Sequence, residues 1–217
     1  EKYGLRFMKG HTHPDTSYDA IDAAVIGFAQ NILSRTTAKP DDTLVFTADL
    51  DGKPGSKGWV KTYDSVRTKT KQQVLTRLEG IINIAEQKLA DACKDVSGPG
   101  LIGTIAMLCE SSHVGATVVI DRIPVPERLT LTDWLITYPS TGFILSTDKP
   151  TECIRLLQKH ELTANAIGKI TKTRKILISH RGQKATFINL TKESIFGFKE
   201  KQSNAKLKKL EVKELSR

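Results

Sequence analysis

The chain has little of what would tie it together covalently or seat it in a membrane. Only three of its 217 residues are cysteine, Cys93, Cys109 and Cys153. The odd number and the lack of C-x-x-C spacing argue against a disulfide framework and against a zinc knuckle, which leaves buried reduced thiols. Long apolar runs are missing too: the longest, such as residues 101–109, are too short and too interrupted to cross a bilayer, and no signal-peptide pattern opens the chain. A cytoplasmic protein with no membrane partner is the expectation. Aromatic residues make up only 6%, and they are not interleaved with basic ones in any pattern that marks a nucleic-acid module. The formal net charge of +9 calls for an anionic partner. However, Lys199, Lys201, Lys206, Lys208, Lys209 and Lys213 crowd the end and leave a body that is only mildly basic, so nucleic acid is not the expected partner.

With 39% hydrophobic and 26% charged residues the composition is that of an ordinary globular protein, long enough for one sizeable core or two small ones. Residues 5–8 read as a short strand and residues 20–28 as a second. Lys39-Pro40-Asp41-Asp42 is a turn signal ahead of a buried-type strand over 43–48. The Gly- and Pro-containing stretch 52–58 is the clearest break in composition, and the domain boundary is placed there, after residue 56. Over 72–93 the apolar positions Val74, Leu78, Ile81, Ile82, Ala85, Leu89 and Ala92 have helical spacing with one buried face. Burying those seven side chains is worth roughly 10 kcal/mol gross. Further elements follow: a helix over 101–112, a strand over 116–123, a short helix over 130–138 with Trp134 inward, a strand over 143–147, a helix over 150–160, a strand over 163–170, and a hairpin of 175–179 with 185–190 around Arg181-Gly182. The pattern is α+β, a mostly antiparallel sheet with helices packed on one face.

The most informative stretch is Lys94-Asp95-Val96-Ser97-Gly98-Pro99-Gly100, one acid and a glycine-rich turn directly ahead of an apolar helix. Backbone N–H groups at a helix start point outward where the dipole is positive, so an anion is favoured there, and a neighbouring carboxylate can hold a divalent cation. The plainer alternative is a turn that Asp95 closes with Ser97. Other polar candidates are weaker. His11 and His13 share a strand face but lack a third ligand for zinc. Asp15, Asp19, Asp22, Asp49 and Asp51 are turn acids by default, with Asp51 a weak candidate to face a nucleotide. His113, His160 and His180 fall at element ends and need no special role.

The order of the Asp95 turn, the following helix, Gly115-Ala116-Thr117-Val118-Val119-Ile120-Asp121-Arg122-Ile123-Pro124, Trp134-Leu135 and Tyr138-Pro139-Ser140-Thr141-Gly142 resembles the C-terminal domain of the AIR synthase-related (PurM-like) superfamily. That superfamily includes AIR synthase, selenophosphate synthetase, thiamine-monophosphate kinase and the hydrogenase-maturation dehydratase. Gly10-His11-Thr12-His13-Pro14 and Asp51-Gly52-Lys53-Pro54 are similar to motifs of the methanogenesis marker protein 2 type. The resemblance spans about residues 5–190 and implies ATP and magnesium as cofactors, a small-molecule substrate that it does not name, and a homodimer. It implies that Asp95 helps hold magnesium beside the ATP phosphates, that Gly10, His11 and Thr12 approach nucleotide phosphate, and that Ser97, Gly98 and Gly100 shape the binding loop. Lys9 departs from the glycine expected there, and its ammonium could itself pair with phosphate. The resemblance also implies that residues 1–56 are the last part of an ATP-binding, dimerising N-terminal domain, that 57–198 form the C-terminal domain and that 199–217 are a basic tail. If the chain is active, an ATP-dependent ligase or kinase-type enzyme is expected. The alternative is a non-catalytic or incomplete module acting in dimerisation or protein binding.

Overall fold

Six consecutive buried residues, Thr43–Ala48, form strand β1, and burial on both faces marks a strand at the centre of a sheet. The computed structural model describes residues 2–3, 5–6, 17, 23–55, 58 and 60–197. Around β1 it arranges β4 (Ala92–Asp95), β5 (Gly115–Val119), β7 (Gly142–Thr147), β8 (Thr163–Thr171), β9 (Lys175–His180) and β10 (Gln183–Asn189) into a seven-stranded sheet ordered β10-β9-β5-β8-β1-β7-β4. Every neighbouring pair is antiparallel except β5 with β9. A second, three-stranded sheet joins β2 (Lys53–Pro54), β3 (Lys61–Asp64) and β6 (Thr137–Pro139).

The period of two along β1 divides the interior into two cores. Leu44, Phe46 and Ala48 point to one, where α2 (Gly100–Ser111) contributes Leu101, Ile105 and Leu108, and Trp134 of α3 (Leu131–Leu135) meets Phe46 and Tyr63 edge-on at ring separations of 6.2 and 5.3 Å. Val45 points to the other, packed with Ile84 of α1 (Lys71–Glu86) and with Cys153 and Leu157 of α4 (Pro150–Lys159). The α+β class and the mostly antiparallel sheet are those expected. The helices, however, cover both faces of the sheet rather than one, because a central strand with no polar face must be sheltered on each side.

Several element bounds differ from those expected. β1 pairs with β7 and β8, in register Thr43↔Thr147 and Thr43↔Lys169, so residues 43–48, expected ahead of the break at 52–58, form the middle of the seven-stranded sheet. The helix expected over 72–93 stops at Glu86. Thr70 and Gln73 form a capping box at its start, and Lys88, with φ +52°, turns the chain out of the helix so that residues 92–95 can add an edge strand to β7. The strand expected over 116–123 tightens after Val119 into a 3₁₀ turn, and the segment expected to be helical over 130–138 ends in β6.

Residues 23–28, expected as a strand, carry none, and Val25, Ile26 and Phe28 stand exposed. The strand expected over 5–8 lies partly outside the described residues, and Leu5 and Arg6 carry no strand; the basic tail 199–217 lies wholly outside them. Cys109 and Cys153 are buried and Cys93 half-buried, all three unbridged, and burial pushes each thiol up to about 12. Among the described residues no helix is long and apolar enough to cross a membrane.

Candidate functional site

The site begins where β4 runs out. Asp95 is the last residue in register with β7, opposite Phe143, and the next amide, Val96 N–H, donates to Gly142 O at 2.9 Å. Val96 is buried and anchors the exit, while the Asp95 side chain is 59% exposed. Lys94, whose side chain is only 11% exposed, bends its ammonium back over the turn. Its Nζ donates to Asp95 Oδ1 at 2.5 Å, to Asp95 O at 3.0 Å and to Ser97 Oγ at 2.6 Å, and Ser97 Oγ donates to Asp95 Oδ2 at 3.1 Å. One carboxylate, one ammonium and one hydroxyl therefore share a single strand end.

The turn is held from beneath. Ser97 N–H donates to the buried Thr104 hydroxyl at 2.9 Å, that hydroxyl donates to Gly100 O at 2.7 Å, and Gly100 N–H donates to Ser97 O at 2.9 Å. Gly98 is exposed, with nothing nearer to a hypothetical β-carbon than Val60 Cγ2 at 3.9 Å, so its backbone is open to a ligand. Gly100 is enclosed. It is buried at φ +74°, its amide is already used, and a β-carbon would lie 2.4 Å from Leu135 O and 2.6 Å from Ile136 Cα. It is a glycine so that the end of α3 can close over the start of α2. With the Ser97 and Gly100 amides both used inside the turn, Gly98 alone of these three leaves its backbone on the exposed rim.

Beside Lys94 and Asp95 lies a hollow of ≈ 450 Å³ walled by Leu33, Ile81 and Phe143, with Arg35 as a further cation on its rim. Gly10, His11 and Thr12 fall outside the described residues, as does His13. Asp51 lies beside a buried ion cluster. There Asp49, 1% exposed, has Lys69 Nζ at 3.2 Å and Arg77 Nε at 2.7 Å as ion-pair partners, and Arg77 Nη1 reaches Glu161 at 2.8 Å. Burial holds the Asp49 carboxyl above its ordinary range, against the opposing pull of Arg77 and Lys69. The Asp51 carboxylate, 89% exposed, takes the same ammonium at 3.2 Å. His160 joins α4 to α1 through Thr76 O at 3.0 Å and Asn83 at 3.1 Å, and His180 pairs with Asp121 at 2.8 Å. Both histidines have structural partners.

The donor set around Asp95 suits a small hard cation only in a particular way. Among the described residues no three carboxylate, imidazole or thiol groups gather as a metal cage. A single exposed carboxylate with an adjacent hydroxyl is the sparse protein set that magnesium accepts when phosphate oxygens and water complete its octahedron. Lys94 was overlooked in the sequence because neighbours on a strand point to opposite faces. Only the end of the strand lets its ammonium reach Asp95.

Against this geometry the likeness to other proteins takes on meaning. The family described as AIR synthase related protein, C-terminal domain, matches residues 39–180, and the chain belongs to that family. An uncharacterized protein of Methanocaldococcus jannaschii is 35% identical over 201 residues, 91% of this chain and 62% of its own length. An uncharacterized protein of the cyanobacterium Synechocystis is 29% identical over the same shares. The phosphoribosylformylglycinamidine synthase subunit PurL of Methanothermobacter marburgensis is 30% identical over 118 residues, 52% of this chain and 16% of its own. The chain thus spans 62% of the length of the first two curated relatives. Among solved structures, Thermotoga maritima PurL complexed with ATP superposes with a TM-score of 0.59 at 16% identity, covering 74% of this chain and 27% of PurL, and so shares the fold. A HypE–HypF complex also shares it, with a TM-score of 0.52 at 14% identity over 72% of this chain and 55% of the other.

Proposed function

We propose that the chain is the nucleotide-handling part of an ATP- and magnesium-dependent enzyme that transfers a phosphoryl group or activates its small-molecule substrate through ATP. The observation that carries this reading is the grouping of Lys94, Asp95 and Ser97 on one exposed strand end beside an open glycine backbone. Family membership supports it, as does a shared fold with a PurL structure that holds ATP.

In this reading Asp95 holds the cation, and the Lys94 ammonium turns from the carboxylate to a phosphate oxygen. Ser97 donates its hydroxyl to another, Gly98 allows close backbone approach, and Gly10, His11 and Thr12 supply the facing contacts. Magnesium, when bound, supplies charge neutralisation on the phosphates. The residues themselves position and screen, which is most of what phosphoryl transfer asks of a protein. The functional unit is a homodimer.

Isothermal titration of Mg-ATP into the full chain tests the reading. Saturable, magnesium-dependent heat is expected, reduced about tenfold or more by Asp95→Asn. The absence of heat at millimolar nucleotide counts against it.

A non-catalytic role in dimerisation or protein binding is favoured by one specific observation: Asp95 already carries the Lys94 ammonium, and no cage of ligands gathers among the described residues. A nucleotide-independent dimer in sedimentation, together with silent titrations, would select that role.

A further inference from the structure

The three-stranded sheet forms one side of a cleft of ≈ 940 Å³ that shares no residue with the Asp95 turn. Lys53 of β2, Asp64 at the end of β3, Arg67 just beyond it and Tyr138 of β6 line it, with Lys2 and Tyr3 on its other side. The amino-terminal piece is fastened there: Lys2 Nζ donates to Val66 O at 3.0 Å and to Arg67 O at 2.7 Å.

The charges in this cleft do not cancel. Three cationic side chains face one acid, and that acid is already committed. Asp64 Oδ1 accepts the Val66 and Arg67 amides at 3.0 and 2.9 Å, and its Oδ2 lies 3.3 Å from Arg67 Nε. The Lys2 contacts are to neutral carbonyls, which orient an ammonium without neutralising it, and among the described residues Lys53 has no ion pair. Concave walls of one sign concentrate the field and favour an anion in the space between them.

The two tyrosines define what accompanies the anion. Tyr3 and Tyr138 are 45% and 42% exposed, so each presents ring surface to the cleft as well as a hydroxyl. Burial, then Asp64, then Tyr138 hold the Tyr3 hydroxyl above its usual range, and it remains a donor at neutral pH. The volume falls within the range of roughly 300–1,000 Å³ that small-molecule sites occupy.

We propose that this cleft binds a ring-bearing phosphate: Lys2, Lys53 and Arg67 hold the phosphate group, and Tyr3 and Tyr138 pack against the ring. The site is independent of the Lys94–Asp95–Ser97 reading, since none of those groups lines it.

Phenyl phosphate is the probe, titrated into the full chain at low salt and followed by backbone amide shifts in NMR, with phenol and inorganic phosphate as the two halves. Saturable shifts centred on Lys53, Arg67 and Tyr138 are expected, with phenyl phosphate bound about tenfold more tightly than either half. Lys53→Glu combined with Arg67→Glu is expected to weaken it by about tenfold or more, while Tyr138→Ala erases the advantage over inorganic phosphate. Asp95→Asn is expected to leave it unchanged, which separates this site from the magnesium reading. Displacement by ATP would identify the nucleotide as the natural source of the phosphate, and simultaneous binding would identify a separate phosphorylated substrate; both support the site. All the substituted side chains are exposed and their variants are expected to fold, and Lys53→Ala alone gives a milder test of the same contact. No saturation at about 10 mM probe, or an unchanged affinity in the Lys53 and Arg67 variants, overturns the proposal.

Discussion

Lys94 and Asp95 are chain neighbours, yet the Lys94 ammonium lies 2.5 Å from the Asp95 carboxylate. Within a strand their side chains would diverge, and the contact exists because the ladder with β7 ends at Asp95 and the backbone turns. The pair is intramolecular competition for any cation: while Lys94 is seated, Asp95 is neutralised. A partly exposed ion pair is worth about 0.2–1 kcal/mol, which converts to at most about fivefold in affinity. Lys94→Met is therefore expected to strengthen binding of Mn2+ alone by about two- to fivefold, measured by electron paramagnetic resonance of the free ion. The same variant is expected to weaken Mn-ATP binding, because the ammonium is then missing from the phosphates. A fall in both would place Lys94 outside the cation site.

Gly100 supports the same turn by packing. At φ +74° an alanine is strained by about 1 kcal/mol, and its β-carbon would meet Leu135 O at 2.4 Å, a backbone atom that cannot swing aside. Gly100→Ala is expected to destabilise the fold by about 3 kcal/mol in urea denaturation. Gly98→Ala, with open space around it, is expected to cost less than about 1 kcal/mol. Equal costs would mean that the close fit between α2 and α3 does not matter.

These two glycines also show where the sequence was legible and where it was not. Glycine is required both where a ligand approaches backbone and where one helix closes on another, so the motif announced a special turn without saying which glycine served which purpose. The contact between Asp95 and Ser97 could be read because it is local. Lys94 could not, because its reach depends on where a ladder stops. The same limit applied to the fold. Leu89 and Ala92 continue the helical phase of α1 at i+4 and i+7 from Ala85, which hid both the turn at Lys88 and strand β4. β1 itself was plain as a strand. Its place in the sheet was set by partners about a hundred residues further on, beyond any local pattern.

The buried ions near Asp49 offer a test of stability. Asp49, Lys69 and Arg77 are almost wholly sequestered, so removing one cation leaves a carboxylate in low dielectric with half its compensation. Arg77→Met is expected to cost about 3–5 kcal/mol, and combining it with Asp49→Leu is expected to recover much of that loss, since an apolar replacement needs no partner. Chemical denaturation of the two variants measures the difference. A double variant no better than the single one would mean that Arg77 acts chiefly through Glu161 and Gln73.

Acid should act on the fold in two opposite ways. Asp64, Asp121 and Asp133 lie below the ordinary 3.8, held there first by the Arg67 amide, the Arg181 amide and Lys61 respectively. A carboxyl whose folded value is depressed contributes stability that is complete above its unfolded value and lost as pH falls through the folded one. Asp49 runs the other way. Burial raises it above 3.8, so the folded state takes up that proton before the unfolded chain does, and mild acid favours the fold through this group alone. The melting temperature is therefore expected to stay level or rise slightly on going from neutral pH towards 3.8, and to fall below it. Asp49→Asn should flatten the upper part of that curve, and Asp64→Asn should soften the fall. Both are checked by thermal melts at constant ionic strength, and a steep loss already present above pH 5, about one unit over the unfolded value, would show that other groups govern the acid response.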